Sequence, residues 1–195
     1  MASEIKKITK ALEKELDGKR FEHTIGVEYT AAALAMAHGA SVKDAQLAGV
    51  LHDCAKAVPD DKKLALCEKY GLPIRDVERL NPGLLHAKLG SYFAEHEYGV
   101  TNPDILGAIE WHTTGKPDMT LLEKIVFVAD YIEPSRKPLT NLDEIRNLAF
   151  KDIDRAIVQI LEDTLLYLGQ TGKNIDALTE QTYHYYCDYK QAFLI

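Results

Sequence analysis

Apolar residues recur at helical spacing along nearly the whole chain. Ile5, Ile8, Leu12 and Leu16 fall three or four positions apart with lysines on the other face, which predicts an amphipathic first helix. A second helix is expected from about Lys19 to His38, closed by Gly39 as the residue best able to take a left-handed cap. Ser41-Val42-Lys43-Asp44 resembles a capping box with Asp in place of Glu or Gln. It would open a helix running through Ala48-Gly49-Val50-Leu51 to about Cys54. Pro59-Asp60-Asp61 opens the next, ended by Gly71, and a short turn from Ile74 to Leu80 leads to the break Asn81-Pro82-Gly83.

The second half continues in the same way. A helix is expected from about Leu85 to Tyr98, stopped by Gly99. Asn102-Pro103 supplies an N-cap and a first helical residue for a segment ending near Trp111 to Thr113. Thr120-Leu121-Leu122-Glu123 fits the capping box and opens a helix that ends before Pro134. After Asn141 come a short helix and a long one, from about Asp152 to Leu168 with Gly169 as cap. The linker Gln170 to Asn174 precedes a last helix at about 175–190 that carries Tyr183, Tyr185, Tyr186 and Tyr189. Tyrosines at that spacing read as core or as a contact to a second copy, so a homodimer is one expectation. There is no alternating strand pattern and no internal repeat. The expected fold is all-α, a single helical domain whose motif-bearing core spans about 20–173.

Bulk composition narrows the class without naming a function. The chain has 195 residues, enough for one sizeable core, with 46% hydrophobic and 27% charged positions. No apolar run approaches the ~20 residues of a membrane span, and the N-terminus lacks a secretory apolar region. Three cysteines, Cys54, Cys67 and Cys187, are too few and too scattered for a zinc ribbon or a disulfide framework, so a cytoplasmic location is expected. The net charge of −7 argues against a nucleic-acid binder. It leaves room for a small anionic substrate, because a metal ion and a few local cations can override the overall sign.

Chemistry enters with His23, His52, Asp53, His86, His112 and Asp130. Imidazole and carboxylate together suit a divalent ion, and a carboxylate can bridge two. His52-Asp53 follows one apolar run, and Asp130 follows another, Ile125 to Ala129. Buried aspartates are costly unless paired or metal-bound. Salt bridges would explain them too, but no Arg or Lys occupies a matching interior position in the sequence. His38, His96 and His184 look structural or exposed.

These residues sit in ordered motifs. They are Arg20-Phe21-Glu22-His23, His52-Asp53-Cys54-Ala55-Lys56, His86-Ala87-Lys88-Leu89-Gly90, His112-Thr113-Thr114-Gly115, and Asp130-Tyr131-Ile132-Glu133-Pro134-Ser135-Arg136. The series resembles the HD superfamily of metal-dependent phosphohydrolases. Within it, the motifs resemble the YqeK-like bacterial symmetrical bis(5′-nucleosyl)-tetraphosphatases. The resemblance implies His23, His52, Asp53 and Asp130 as metal ligands, with Asp53 suited to bridge. It implies iron, as one or two ions. His86 and His112 would complete a second metal position or contact phosphate.

Position relative to these ligands singles out cations for a polyphosphate. Arg20 lies one turn before His23, Lys56 one turn after the HD pair, and Arg136 just beyond the Asp130 helix. Lys173, in a Gly-containing linker, rests on the resemblance. Thr113 and Thr114 could donate hydroxyl hydrogen bonds. Gly83 either lets a ligand approach the backbone or simply breaks the helix. Asp53, His86, His112 and Lys56 are the expected catalytic groups, and the implied reaction is hydrolysis of diadenosine tetraphosphate to two ADP. An HD-type hydrolase of another nucleotide, or a metal-loaded nucleotide-binding regulator without turnover, remains the alternative.

Overall fold

The computed structural model describes residues 2–137 and 141–191. Among the described residues there are eleven α-helices, one 3-10 turn and no strand. They are α1 (Ala2–Glu15), α2 (Gly18–His38), α3 (Val42–Leu51), α4 (Asp60–Lys69), α5 (Asp76–Leu80), α6 (Leu85–His96), α7 (Pro103–Trp111), α8 (Leu121–Ile132), α9 (Leu142–Ala149), α10 (Ile153–Thr171) and α11 (Ala177–Gln191). The fold is all-α and single-domain, as the hydrophobic pattern requires.

Caps set the register that matters for function. Asp17 accepts hydrogen bonds from the backbone N–H groups of Lys19 and Arg20, both at 3.0 Å, and so starts α2 one turn ahead of His23. Gly39, at φ 73°, ends it in the left-handed conformation. Asn102 caps α7 behind Pro103, and Thr120 with Glu123 forms a complete capping box on α8. Ser41 caps α3, but only its own hydroxyl takes part, since Asp44 is one methylene shorter than the usual partner. Three helix ends differ from expectation, the first being α3, which stops at Leu51 rather than near Cys54. α6 stops at His96, and α10 runs on through Gly169 to Thr171. Gly172, at φ 64°, is the residue that takes the left-handed cap, its N–H reaching back to the carbonyls of Leu168 and Gly169.

The core divides into three clusters around the histidines. Val27, Leu34, Ile125, Val128, Ile157, Ile160 and Tyr186 join α2, α8, α10 and α11. Leu12, Leu51, Ile105, Ile109 and Val126 join α1, α3, α7 and α8. Ala55, Cys67, Leu85 and Leu89 form the third beneath α4 and α6. The α2–α3 crossing is close because Gly49 has no side chain, and a Cβ there would lie 3.0 Å from the Glu28 Cα. Tyr186 is buried and its hydroxyl accepts from the Met119 N–H at 3.0 Å, so the core reading of these tyrosines holds there. The side chain of Tyr189 lies outside the described residues. Cys54, Cys67 and Cys187 are free thiols, and no described helix is long and apolar enough to cross a membrane.

Candidate metal centre

Five helices each deliver part of one buried cluster. His23 comes from the second turn of α2, His52 from the C-cap of α3 with Asp53 directly after it, and His86 from the first turn of α6. His112 caps the C-terminus of α7, and Asp130 lies in the last turn of α8. All four histidines and Asp53 are at most 6% exposed.

Hydrogen bonding fixes which ring nitrogen faces inward. The Nδ1 atoms of His52, His86 and His112 lie 2.7, 2.6 and 2.7 Å from the carbonyls of Gly49, Gly83 and Ile109, each three residues earlier. A carbonyl can only accept, so each Nδ1 donates and each Nε2 turns a lone pair to the interior. Those interior atoms crowd one another. His52 Nε2 lies 3.3 Å from His23 Nε2, and His86 Nε2 lies 3.1 Å from His112 Nε2.

The two carboxylates complete two groups. His23 Nε2 is 3.0 Å and His52 Nε2 is 3.8 Å from Asp130 Oδ1. Asp53 stands between the halves. Its Oδ2 is 3.6 Å from His52 Nε2 and its Oδ1 is 3.2 and 3.6 Å from the Nε2 atoms of His86 and His112. The sets His23–His52–Asp130 and His52–Asp53–His112 each bring one ligand atom per residue within 4.8 Å of the others and could hold a metal ion. The donors fit a divalent cation well. Asp53 Oδ1 is buried without a hydrogen bond, and lone pairs aimed at one another at about 3 Å need a positive centre between them.

Electrostatics agrees with that donor set. Burial would raise the Asp130 carboxyl, but the His23 hydrogen bond and the Arg136 charge outweigh it and hold the carboxyl low. Asp53 is likewise held well below its usual value against burial, by His52, His112, His86 and Lys56. Burial lowers His52 and His86 to about 4, which keeps them neutral at physiological pH. For His23 the hydrogen bonds to Asp130 and Glu133 outweigh burial and raise it.

A model of the HD domain matches residues 20–135, more than half of the chain. The chain belongs to the HD-domain family. It is 38% identical over 174 residues to the symmetrical bis(5′-nucleosyl)-tetraphosphatase of Bacillus subtilis, covering 89% of this chain and 92% of that protein. It is also 38% identical to the protein of the same name from Halalkalibacterium halodurans, covering 91% and 94%. A crystal structure from Clostridium acetobutylicum, titled as a predicted HD superfamily hydrolase involved in NAD metabolism, superposes with a TM-score of 0.91. It is 36% identical and is matched over 94% of this chain and 97% of that one.

The HD cluster gathers most of the expected cations and corrects one inference about them. Asp53 does have basic partners. Arg20 Nη1 lies 2.7 Å from Asp53 Oδ2, and Lys56 Nζ lies 3.7 Å from Asp53 Oδ1. Arg20 arrives from α2, 33 positions away, and Lys56 from the turn after α3, so neither occupies an interior helical position. Lys56 also lies 3.0 Å from His86 Nε2, and burial lowers its pKa. Arg136 makes a 2.7 Å pair with Asp130 Oδ1 and donates from Nε to the Asp130 carbonyl. Beside them opens a cleft of about 730 Å³, lined by Lys19, Arg20, His23, Glu133, Arg136 and Lys137 among others.

Other expected residues divide. Thr113 Oγ1 sits 3.1 Å from His112 Nε2 and 3.3 Å from His86 Nε2, at the centre. Thr114 instead donates to the Gly115 carbonyl and is buried. Gly83 lies in a 3-10 turn, and its carbonyl orients His86. Lys173 places its ammonium over the Tyr167 ring, 5.2 Å from the centroid, and makes its described contact there rather than at the cluster. His38 bonds the Ala149 carbonyl and His96 stacks on Tyr92, both away from the site. Glu133 had no role in the sequence reading, although it stands in the same motif as Asp130, three residues on. It is 1% exposed and lies 2.9 Å from His23 Nδ1.

Proposed function

We propose that this chain is a metal-dependent phosphoric anhydride hydrolase that cleaves diadenosine tetraphosphate symmetrically to two ADP. The observation that carries the reading is Asp53, whose two oxygens face two histidine groups while Arg20 and Lys56 stand against it. A related pair of proteins from mycoplasmas is named in part as an Ap4A hydrolase, in agreement with the Bacillus relative. His23, His52, Asp53 and Asp130 would hold the metal, and His86 and His112 would serve a second position. The family resemblance favours iron. A divalent ion held there supplies an activated water at neutral pH and polarises a phosphoryl oxygen.

The remaining roles belong to the side chains. Arg20 and Arg136 flank the cleft and exchange their carboxylate partners for phosphate oxygens as substrate enters. Lys56, its ammonium made more acidic by burial, holds the charge that develops on the departing ADP. Thr113 donates its hydroxyl to a phosphate oxygen beside His86 and His112. With a net charge of −7, attraction for a polyanion is confined to the bound ion and the cations around the cleft, which favours a small nucleotide over nucleic acid. A cytoplasmic location suits such a substrate.

Metal-loaded protein, incubated with diadenosine tetraphosphate and resolved by chromatography, should yield ADP alone, and chelated protein should yield nothing. ATP plus AMP would mean asymmetric cleavage and would overturn the assignment. Tight substrate binding without turnover, after anaerobic loading with ferrous ion, would identify a regulator instead.

A further inference from the structure

Three of the four histidines share one way of being held, and His23 does not. His52, His86 and His112 each donate Nδ1–H to a backbone carbonyl three residues back, at or beside a helix end. His23 lies inside α2, where the neighbouring carbonyls are taken by the helix, and its Nδ1 meets Glu133 Oε1 at 2.9 Å. Glu133 is built into that position. Its Oε2 accepts from the Ser135 N–H at 2.6 Å and its Oε1 from the Ser135 hydroxyl at 2.7 Å. Arg146 of α9 holds the Glu133 backbone carbonyl. Gly26, the next turn of α2 after His23, leaves the room. A Cβ there would run into Glu133 Oε2.

The two halves differ in this backing rather than in cations, since Arg136 lies 2.7 Å from Asp130 Oδ1 and Arg20 lies 2.7 Å from Asp53 Oδ2. Lys56 Nζ lies 3.0 Å from His86 Nε2 and 3.7 Å from Asp53 Oδ1, and no carboxylate backs His86 or His112 through Nδ1. A carboxylate behind an imidazole makes it a stronger donor than a carbonyl does, and Lys56 is the cation that stands against an imidazole ligand atom of the second half.

We propose that Glu133 is a positioning residue that ranks the two metal positions, so that His23–His52–Asp130 fills first and tightly while His86–His112 fills second and exchangeably. This inference rests on the metal-dependent reading of the site. It assigns to Glu133, Ser135 and Gly26 a function in the order of loading rather than in the chemistry itself.

Cobalt(II) titration of metal-free protein tests it, followed by calorimetry and by the visible absorption of the bound ion. Wild type should show two resolved binding steps. Glu133→Gln preserves shape and should weaken the first step by roughly 10–100-fold while leaving the second unchanged. Gly26→Ala should do the same without altering any ligand, because its Cβ displaces the carboxylate. Lys56→Met should tighten the second step alone. A folded Glu133→Gln protein with the wild-type isotherm, or with both steps weakened equally, would overturn the ranking. If wild type binds no cobalt at all, the metal reading itself fails, and the ranking with it. Two wild-type steps of equal affinity would refute the ranking and leave the metal reading standing.

Discussion

Asp53→Asn separates the metal role of this residue from its structural one. The substitution is nearly isosteric, so the turn after α3 should keep its packing. In metal-free protein Asp53 pairs with Arg20 at 2.7 Å, and Arg20 is 33% exposed, so solvent screens the pair. Asn retains a neutral acceptor for Arg20. The loss should therefore be about 1 kcal/mol, roughly 2–4 °C in Tm for a chain of this size. Metal should make the larger difference. At an ion concentration about 100 times Kd, binding stabilises the wild type by ~2.7 kcal/mol, or about 5–10 °C. The variant should show almost none of that gain, because both halves of the cluster lose their shared carboxylate. Calorimetry with chelator and with excess metal, alongside metal per chain and turnover, measures all four quantities. Full metal content with wild-type turnover would remove Asp53 from the centre.

Arg136→Ala should raise KM by roughly one to two decades, the cost of one charge-assisted contact of about 1.5–3 kcal/mol. Metal content should stay near wild type, and a metal-free variant would show that Arg136 supports the ligands instead. In chelator, stability should depend on pH through His52 and His86. Burial depresses both folded pKa values from 6.5 to about 4, so their contribution is full above about pH 6.5 and is lost as pH falls toward 4. Denaturant midpoints that do not change across that window would contradict the buried neutral rings. Tyr186→Phe leaves the buried Met119 N–H without its acceptor and should cost about 1–3 kcal/mol by urea unfolding, with metal loading unaffected.

The helices and the HD pair were legible because each signal is local. An apolar run followed by His52-Asp53 marks a polar end on a buried helix, and Gly39, Asn102 and Thr120 mark helix ends by their own chemistry. What stayed hidden is contact across the fold. Arg20 reaches Asp53 only because α2 and α3 cross closely over Gly49, so a sequence search for a nearby basic partner finds none. Glu133 supports His23 from 110 positions away, and its place in the Asp130 motif gives no sign of which residue it contacts. Lys173 shows the converse. The resemblance alone singles it out, and Gly172, which caps α10, leaves its ammonium over Tyr167. The choice between Gly169 and Gly172 as that cap is likewise invisible to periodicity, since the apolar pattern stops at Leu168 and the last turn through Gln170 and Thr171 is polar.

The most direct test is hydrolysis in water enriched in oxygen-18, with the isotopic content of each product read by mass spectrometry. Attack of water on an inner phosphorus forms one new P–O bond and breaks the central anhydride. The products should therefore be ADP alone, half of it carrying one heavy oxygen on its terminal phosphate and half unlabelled, and chelator should abolish both. ATP with AMP, or ADP without the label, would contradict symmetrical hydrolysis by water at this centre.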